Sequence, residues 1–327
     1  MTVSVDKVQR SHASFARARG AVAGLAGPDP AVLCPGHEHE GAWVSLREGS
    51  VRGRAIAQPL RGHDGIGIVG FFECVDDPSA ARALLGACED FLAQAGCRRV
   101  IGPMDGDTWH NYRTAEASEF APFALDRITP AWYGELFRGA GYHASEEYIS
   151  TWIERSELSW ARLDRGLERL ARAGGRIESF DPVDWERQLD RLHALSLEAF
   201  AGNAWASPLD REVFHRLYAG YRDRIAPDWI QWALAADGTA LGYVFSIPDR
   251  RPDGARIRVI KTVAVADHPR ARGLGALLVE LTHRRAHEEG CSGVVHALMH
   301  ERNSSTHILS KHAQVVRRYH LWAKEIS

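Results

Sequence analysis

The sequence predicts an α/β protein, in the α+β sense, made of two domains built on one repeated order of strands and helices. Three observations carry this. The chain has 327 residues, which is about two domains at roughly 100–200 residues each. Its apolar residues switch between the period of a strand and the period of a helix. A strand–helix–strand–helix–strand order recurs about 190 residues apart, as a repeat of order rather than of sequence identity.

Along the first half, Ser11 to Gly27 is Ala-rich and helical in pattern, and Gly27-Pro28-Asp29-Pro30 ends it. Arg54 to Gln58 alternates like a strand, and Gly65 to Cys74 is a continuous apolar run of strand length. Asp76 to Ser79 supplies capping chemistry and a proline where a helix begins. Ala80 to Gly96 follows with Leu84, Leu85, Cys88, Phe91 and Leu92 at helical spacing, and Gly96 stops it. Arg98 to Gly102 is a short strand, residues 103–129 a polar, aromatic-laced loop, Pro130 to Gly141 a helix and Tyr142 to Trp152 a strand. Glu154 to Gly175 reads as a helical connector, with Leu163, Leu167 and Leu170 on one face.

The second half starts with a strand at Arg176 to Phe180 and an amphipathic helix from Val183 to Phe200. A second helix is capped at Asp210 and ends near Arg224. Trp229 to Ala235 and Ala240 to Ser246 form a hairpin, with Asp237-Gly238 at its turn. Ile257 to Ala266 is a β-branched strand, Gly273 to Glu289 a helix and Gly293 to Met299 a strand. Ser304 to His312 is a helix and Val315 to Ala323 the last strand. The domains so drawn are residues 1–152, a connector at 153–175, and residues 176–327.

Composition excludes several function classes. With 45% apolar and 25% charged residues, the chain is an ordinary globular protein rather than a disordered one. A net charge of −2 offers no global attraction to nucleic acid or anionic lipid. No apolar run reaches the roughly 18 residues of a membrane span, and Met1 to Phe15 lacks the apolar core of a signal peptide. The cysteines Cys34, Cys74, Cys88, Cys97 and Cys291 are odd in number and contain no paired CxxC, against a disulfide framework or a zinc site. A reducing, cytoplasmic setting follows as the expectation. Only Lys7, Lys261, Lys311 and Lys324 are lysines, and two of them fall within the region that carries the chemistry.

The sharpest motif runs from Val263-Ala264-Val265 through Asp267-His268-Pro269 to Arg270-Ala271-Arg272-Gly273-Leu274-Gly275-Ala276. A strand enters a glycine turn, and an apolar helix leaves it. Close glycines let backbone N–H groups converge on a ligand. The helix N-terminus adds about half a positive charge. Arg270 and Arg272 add forked donors suited to phosphate oxygens. There is no GKS/T as in a P-loop, and Leu278 stands where a dinucleotide turn has its third glycine. The plainer alternative is a structural glycine turn between strand and helix.

This pattern, R-x-x-G-x-G followed by a Leu-rich helix, resembles the acyl-CoA motif of the GNAT superfamily of N-acetyltransferases. The resemblance covers residues 176–327 in element order. It implies two tandem GNAT-like domains, each a mixed, mostly antiparallel twisted sheet flanked by helices. It implies that Val263, Ala264 and Val265 hold the pantetheine arm and acyl carbonyl, and that Arg270 to Ala276 hold the pyrophosphate. Asn303 to Lys311 is similar to the family's N-x-x-A-x-x-L-Y helix and places Asn303 in the cofactor site. Ser310 stands where many members have a tyrosine that protonates the leaving thiolate. An aliphatic hydroxyl is a far poorer acid than a phenol, so Ser310 is a catalytic candidate that would orient the thiol without acting as its acid. The first half resembles the same fold more faintly, with Glu73, Asp76 and Asp77 replacing the glycine turn. It reads as a degenerate copy that does not bind CoA, because its acids repel a pyrophosphate.

His296, His300 and Glu301 lie on or beside the strand expected to flank the thioester, and each is a candidate base for the attacking amine. Glu198, late in the first helix of this domain, is another. The alternative for His296 is a packed strand residue, and for the others a solvated one. Trp109 and Tyr112, in the loop Trp109 to Arg113, and Asn203 and Trp205, between two helices of the second half, are candidates for the acceptor pocket. His37 and His39 are too few to make a metal site. The expected function is direct transfer of an acyl group, acetyl by default, from acyl-CoA to a small-molecule or peptide amine, without a metal. Two alternatives stay open: transfer of a longer chain from CoA or an acyl carrier protein onto a peptide or amino acid, and a non-catalytic acyl-CoA-binding module.

Overall fold

A computed structural model describes residues 3–9, 40–302 and 312–327. The helix expected at Ser11–Gly27 lies outside these residues, as do Cys34, His37, His39, Asn303, Ser310 and all but the last residue of the helix expected at Ser304–His312. The first half comprises strands β1 (Val3–Val8), β2 (Gly41–Arg47), β3 (Ser50–Pro59) and β4 (Ile66–Cys74), helix α1 (Pro78–Gln94), β5 (Arg99–Gly102), the short β6 (Thr114–Ala115), α2 (Tyr133–Gly139) and β7 (His143–Glu154). Helix α3 (Leu163–Arg172) connects the halves. The second half comprises β8 (Arg176–Ser179), α4 (Trp185–Phe200), α5 (Arg211–Ala219), β9 (Ile230–Leu234), β10 (Ala240–Arg250), β11 (Arg256–Val265), α6 (Leu274–Glu288), β12 (Gly293–His300) and β13 (Gln314–Glu325).

Local chemistry explains most boundaries. Asp77 caps α1 by accepting from the Ser79 and Ala80 N–H groups, both at 3.1 Å. Gly96, Gly141 and Gly238 take positive φ at the expected stops and turn. Helix α5 ends at Ala219, short of the expected Arg224, and Asp210 makes no side-chain cap. Its carboxylate instead meets Arg61 of the first half at 3.1 Å.

Every strand but β6 lies on one continuous sheet, ordered β1-β2-β3-β4-β5-β13-β7-β12-β11-β10-β9-β8, with β6 on β13. Neighbours are antiparallel except β4–β5 and β11–β12. The middle of this sheet is exchanged between the halves. β7 pairs with β12 of the second half through Val294↔Ile153. β13 pairs with β5 of the first half through Trp322↔Gly102. β7 and β13 then pair with each other. The residue ranges expected for the two domains therefore share one sheet, and each half lends the other its last strand. The cores follow the exchange. Trp322 packs with Leu84, Leu85 and Phe137 under α1, whereas Trp152 packs with Phe180, Leu192 and Phe214 under α4. Buried tryptophans of this kind hold a fold by roughly 3–5 kcal/mol each when truncation to alanine is the measure.

Candidate functional site

The glycine turn forms as the sequence expects. β11 ends at Val265, a single 3-10 turn spans Pro269–Ala271, and Gly273 then adopts φ +81 as the N-cap of α6. A side chain is strained at that φ, and a Cβ there would lie 2.8 Å from Arg169 Nη2. His268 Nδ1 accepts from the Arg270 N–H at 3.0 Å and fixes the turn. Among the described residues no side chain caps α6, so its leading amides are left for a ligand or water. A cavity of about 350 Å³ opens beside the turn, lined by Arg169, Arg270 and Arg272 among others. Arg270 approaches Asp237 at 3.5 Å, and both side chains are about half exposed.

The corresponding place in the first half is built differently. The Asp77 carboxylate already sits on the α1 N-terminus, and Arg47 and Arg52 meet it at 3.1 and 3.5 Å. Glu73 is likewise paired with the buried Arg54 at 2.9 Å. These acids, expected to repel an anion, are matched by arginines. Occupation of the helix end, rather than free negative charge, sets this half apart.

The strand gaps differ as well. β11 and β12 pair only from Arg258↔Val294 to Ile260↔His296, then part. Val263 to Val265 continue to pair with β10 on one edge and have no β12 partner on the other. β4 and β5 also stop pairing, at Ile68↔Ile101. There the chain crosses back into the gap. The Met104 N–H donates to the Val69 carbonyl at 2.9 Å, and the Phe71 N–H donates to Asp105 Oδ1 at 2.5 Å. A Cβ on Gly70 would fall 2.0 Å from the Met104 carbonyl oxygen, so backbone fills this gap. One parallel pair is open along its edge and the other is closed.

At the apex of the open pair, β11 carries a bulge. Phe245 faces Thr262 and Ser246 faces Ile260, which leaves Lys261 as the extra residue. Lys261 is half-buried. Burial, then the nearby Arg113, pull its ammonium pKa down from 10.5 to about 7, against the opposing pull of Asp126. Arg113 is buried, with its guanidinium between the rings of Tyr112 (3.8 Å) and Tyr148 (4.0 Å). It donates to the Leu298 carbonyl at 3.3 Å. Arg113 and Leu298 both hold left-handed φ, +82 and +58. Each such residue stores about 1–2 kcal/mol. Asp126 is engaged by Arg317 Nε at 3.0 Å and by the Tyr319 hydroxyl at 2.7 Å. Sequence reading missed this cluster; its one visible signal was the scarcity of lysine.

The other candidates are placed as follows. His296 is buried against His283 of α6, with the two Nε2 atoms 2.9 Å apart. Burial and His283 push its pKa well below the usual range. His300 contacts Glu146 at 2.8 Å and the edge of Tyr148. Glu301 is exposed; a hydrogen bond with Glu147 and the nearby Arg318 hold its carboxyl below the ordinary range. Glu198 accepts from the Asp267 N–H at 3.0 Å, just beyond β11. The Trp109 indole crosses to the second half, donating to the Ser207 carbonyl at 3.0 Å and packing on Phe200 and Phe214. Trp205 makes the reverse crossing, with Arg99 over its ring at 5.4 Å. Tyr112 packs on Tyr148, and Asn203 is exposed.

Comparison with solved structures settles the architecture. A tandem GNAT protein from the clavulanic acid biosynthesis pathway superposes with a TM-score of 0.52 at 15% identity, covering 99% of this chain and 98% of that one. The protein has the tandem GNAT fold. A probable N-acyltransferase from Enterococcus faecalis V583 gives a TM-score of 0.61 at 12% identity over 100% of this chain and 73% of that one. Eis1 from Mycobacterium abscessus gives 0.56 at 16% identity over 99% and 73%. No family model matches the sequence. Among curated proteins, protein YghO of Escherichia coli (strain K12) is 27% identical over 224 residues, 66% of this chain and 57% of that protein. The match thus spans little more than half of that relative. In this GNAT fold no helix among the described residues is long and apolar enough to cross a membrane.

Proposed function

We propose that this protein is an acyltransferase that moves an acyl group from acyl-CoA to an amine, with the donor held by the second half alone. The observation that carries the reading is the contrast between the two parallel strand pairs. One ends in an open edge and an uncapped helix. The other ends in a filled gap and a helix capped by its own Asp77. Likeness to GNAT folds supports the class of reaction.

The residues fit such a donor. Amides at the start of α6, with Arg270 and Arg272, would take the pyrophosphate, and Arg169 adds a third guanidinium beside the turn. The unpaired edge of Val263 to Val265 would hold the extended arm by strand-like hydrogen bonds. An acyl-CoA supplies a thioester carbonyl that an amine can attack directly. A backbone amide of this edge would polarise that carbonyl. Acetyl is the default acyl group, and the acceptor is a small-molecule or peptide amine. The experiment is thiol release from acetyl-CoA and longer acyl-CoAs across a panel of amines. Amine-dependent release supports transfer; CoA binding without release from any pair contradicts it.

A further inference from the structure

We propose that Lys261 is the proton acceptor of this transfer, taking the proton of the attacking amine on its Nζ; the assignment rests on the acyltransferase reading above. Lys261 is the bulged residue of β11, one position past the last rung to β12. The open edge runs from there toward the glycine turn. The five residue steps from Lys261 to Ala266, just past the end of β11, cover about 17 Å. A donor anchored at α6 and lying along that edge therefore presents its acyl end to the bulge.

The surroundings suit a neutral amine. Arg113 comes from the segment after β5 and makes no ion pair among the described residues. It sits close enough to disfavour a second positive charge. Asp126, the counter-charge nearby, is held by Arg317 and Tyr319 of β13. From β7, Tyr148 covers Arg113, and Ser150 bonds Tyr319 at 3.0 Å. From β12, Leu298 offers its carbonyl to Arg113 and carries no titratable group, and His300 is paired with Glu146. The alternative bases are engaged: His296 is sealed against His283, and Glu301 is paired with Arg318. Two strained residues joined by a hydrogen bond, Arg113 and Leu298, hold the apex in shape. With its ammonium pKa near 7, Lys261 is a half-neutral base at neutral pH, where an ordinary lysine is fully charged.

The step balances simply. The acceptor ammonium gives one proton to Nζ. Its nitrogen then forms the C–N bond as the C–S bond breaks. The second nitrogen proton neutralises the departing thiolate, and Lys261 returns its proton to water.

Two readouts test this. With lysines labelled in 13C at Cε, the four lysines give four Cε signals, and Lys261→Arg identifies one. That signal should titrate near pH 7, and Arg113→Gln should move it upward. Titration above about pH 9.5 overturns the proposal. For activity, kcat/KM should rise through pH 7 to a plateau in the wild type. Lys261→Met should lower kcat/KM at pH 7 to 8 by about a hundredfold or more and remove the levelling-off near pH 7, leaving only a rise that follows the acceptor amine's own pKa. Lys261→Arg, which keeps the charge and cannot become neutral, should be equally impaired. If both variants still level off with an apparent pKa near 7 at a wild-type rate, the lysine assignment falls and acyl transfer stands. If the wild type releases no CoA from any pair, the acyl-transfer reading falls and the assignment with it.

Discussion

The Leu298 N–H donates to the Ser150 hydroxyl at 3.0 Å, so a first-half residue pins the bulge of a second-half strand. The same hydroxyl meets the Tyr319 hydroxyl at 3.0 Å. The contact between hydroxyls is buried and the Leu298 contact partly buried, both in the exchanged middle of the sheet. Ser150→Ala leaves a partly buried N–H and a buried phenol each short of a partner. A loss of about 1–3 kcal/mol is expected, read by urea unfolding. A change under about 0.3 kcal/mol would show that the bulge is held by other means.

Asp77 and Gly273 occupy equivalent caps and do opposite things. Asp77→Ala removes the cap of α1 and should destabilise the protein by about 1 kcal/mol. CoA affinity should stay unchanged, because the gap beside it remains filled by Met104 and Asp105. Thermal unfolding and CoA titration of the same variant check both halves of this statement. A second CoA site in Asp77→Ala would contradict it.

Gly273→Ala places a Cβ at φ +81 and near Arg169. The left-handed backbone alone should cost about 1–2 kcal/mol of stability. CoA binding should weaken in the same variant, since relaxing the left-handed backbone at residue 273 moves the amides that follow it, whereas the exposed Arg169 tip can swing clear of the new Cβ. Unchanged stability would mean that the turn relaxes freely.

Lys261 has a consequence for stability that does not depend on any substrate. Its pKa is about 7 when folded, against 10.5 for an ordinary lysine. Between those values the unfolded chain holds a proton that the folded chain does not. Lys261 therefore makes stability rise with pH over this window, by at most about 1.4 kcal/mol per pH unit. Below pH 7 both states are charged and the penalty is complete. The difference between wild type and Lys261→Met in urea unfolding at pH 7, 8 and 9 isolates this slope. Parallel curves would contradict the neutral lysine.

Much of this fold was legible from local pattern. The apolar run Gly65–Cys74, the cap at Asp77, the β-branched strand Ile257–Ala266 and the turn at Asp237-Gly238 all form near the expected bounds. These depend on neighbours a few residues away. The exchange of β7 and β13 was not legible, because pairing partners about 140 residues or more apart in sequence leave no periodic mark on either strand. The glycine turn could be read as a site because its residues are contiguous. Lys261, Arg113, Asp126 and Ser150 come from four separate segments and meet only once the halves share a sheet. His296 shows the converse: its chemistry suited a base, and only the packing of α6 reveals that His283 seals it.

The most direct measurement is a calorimetric titration of CoA into the wild-type protein and into Gly275→Asp. A single site per chain is expected for the wild type. Gly275→Asp should raise Kd by about tenfold or more, through a carboxylate placed at the helix end. Two sites per chain, or an unchanged Kd in Gly275→Asp, would contradict a donor held by the second half alone.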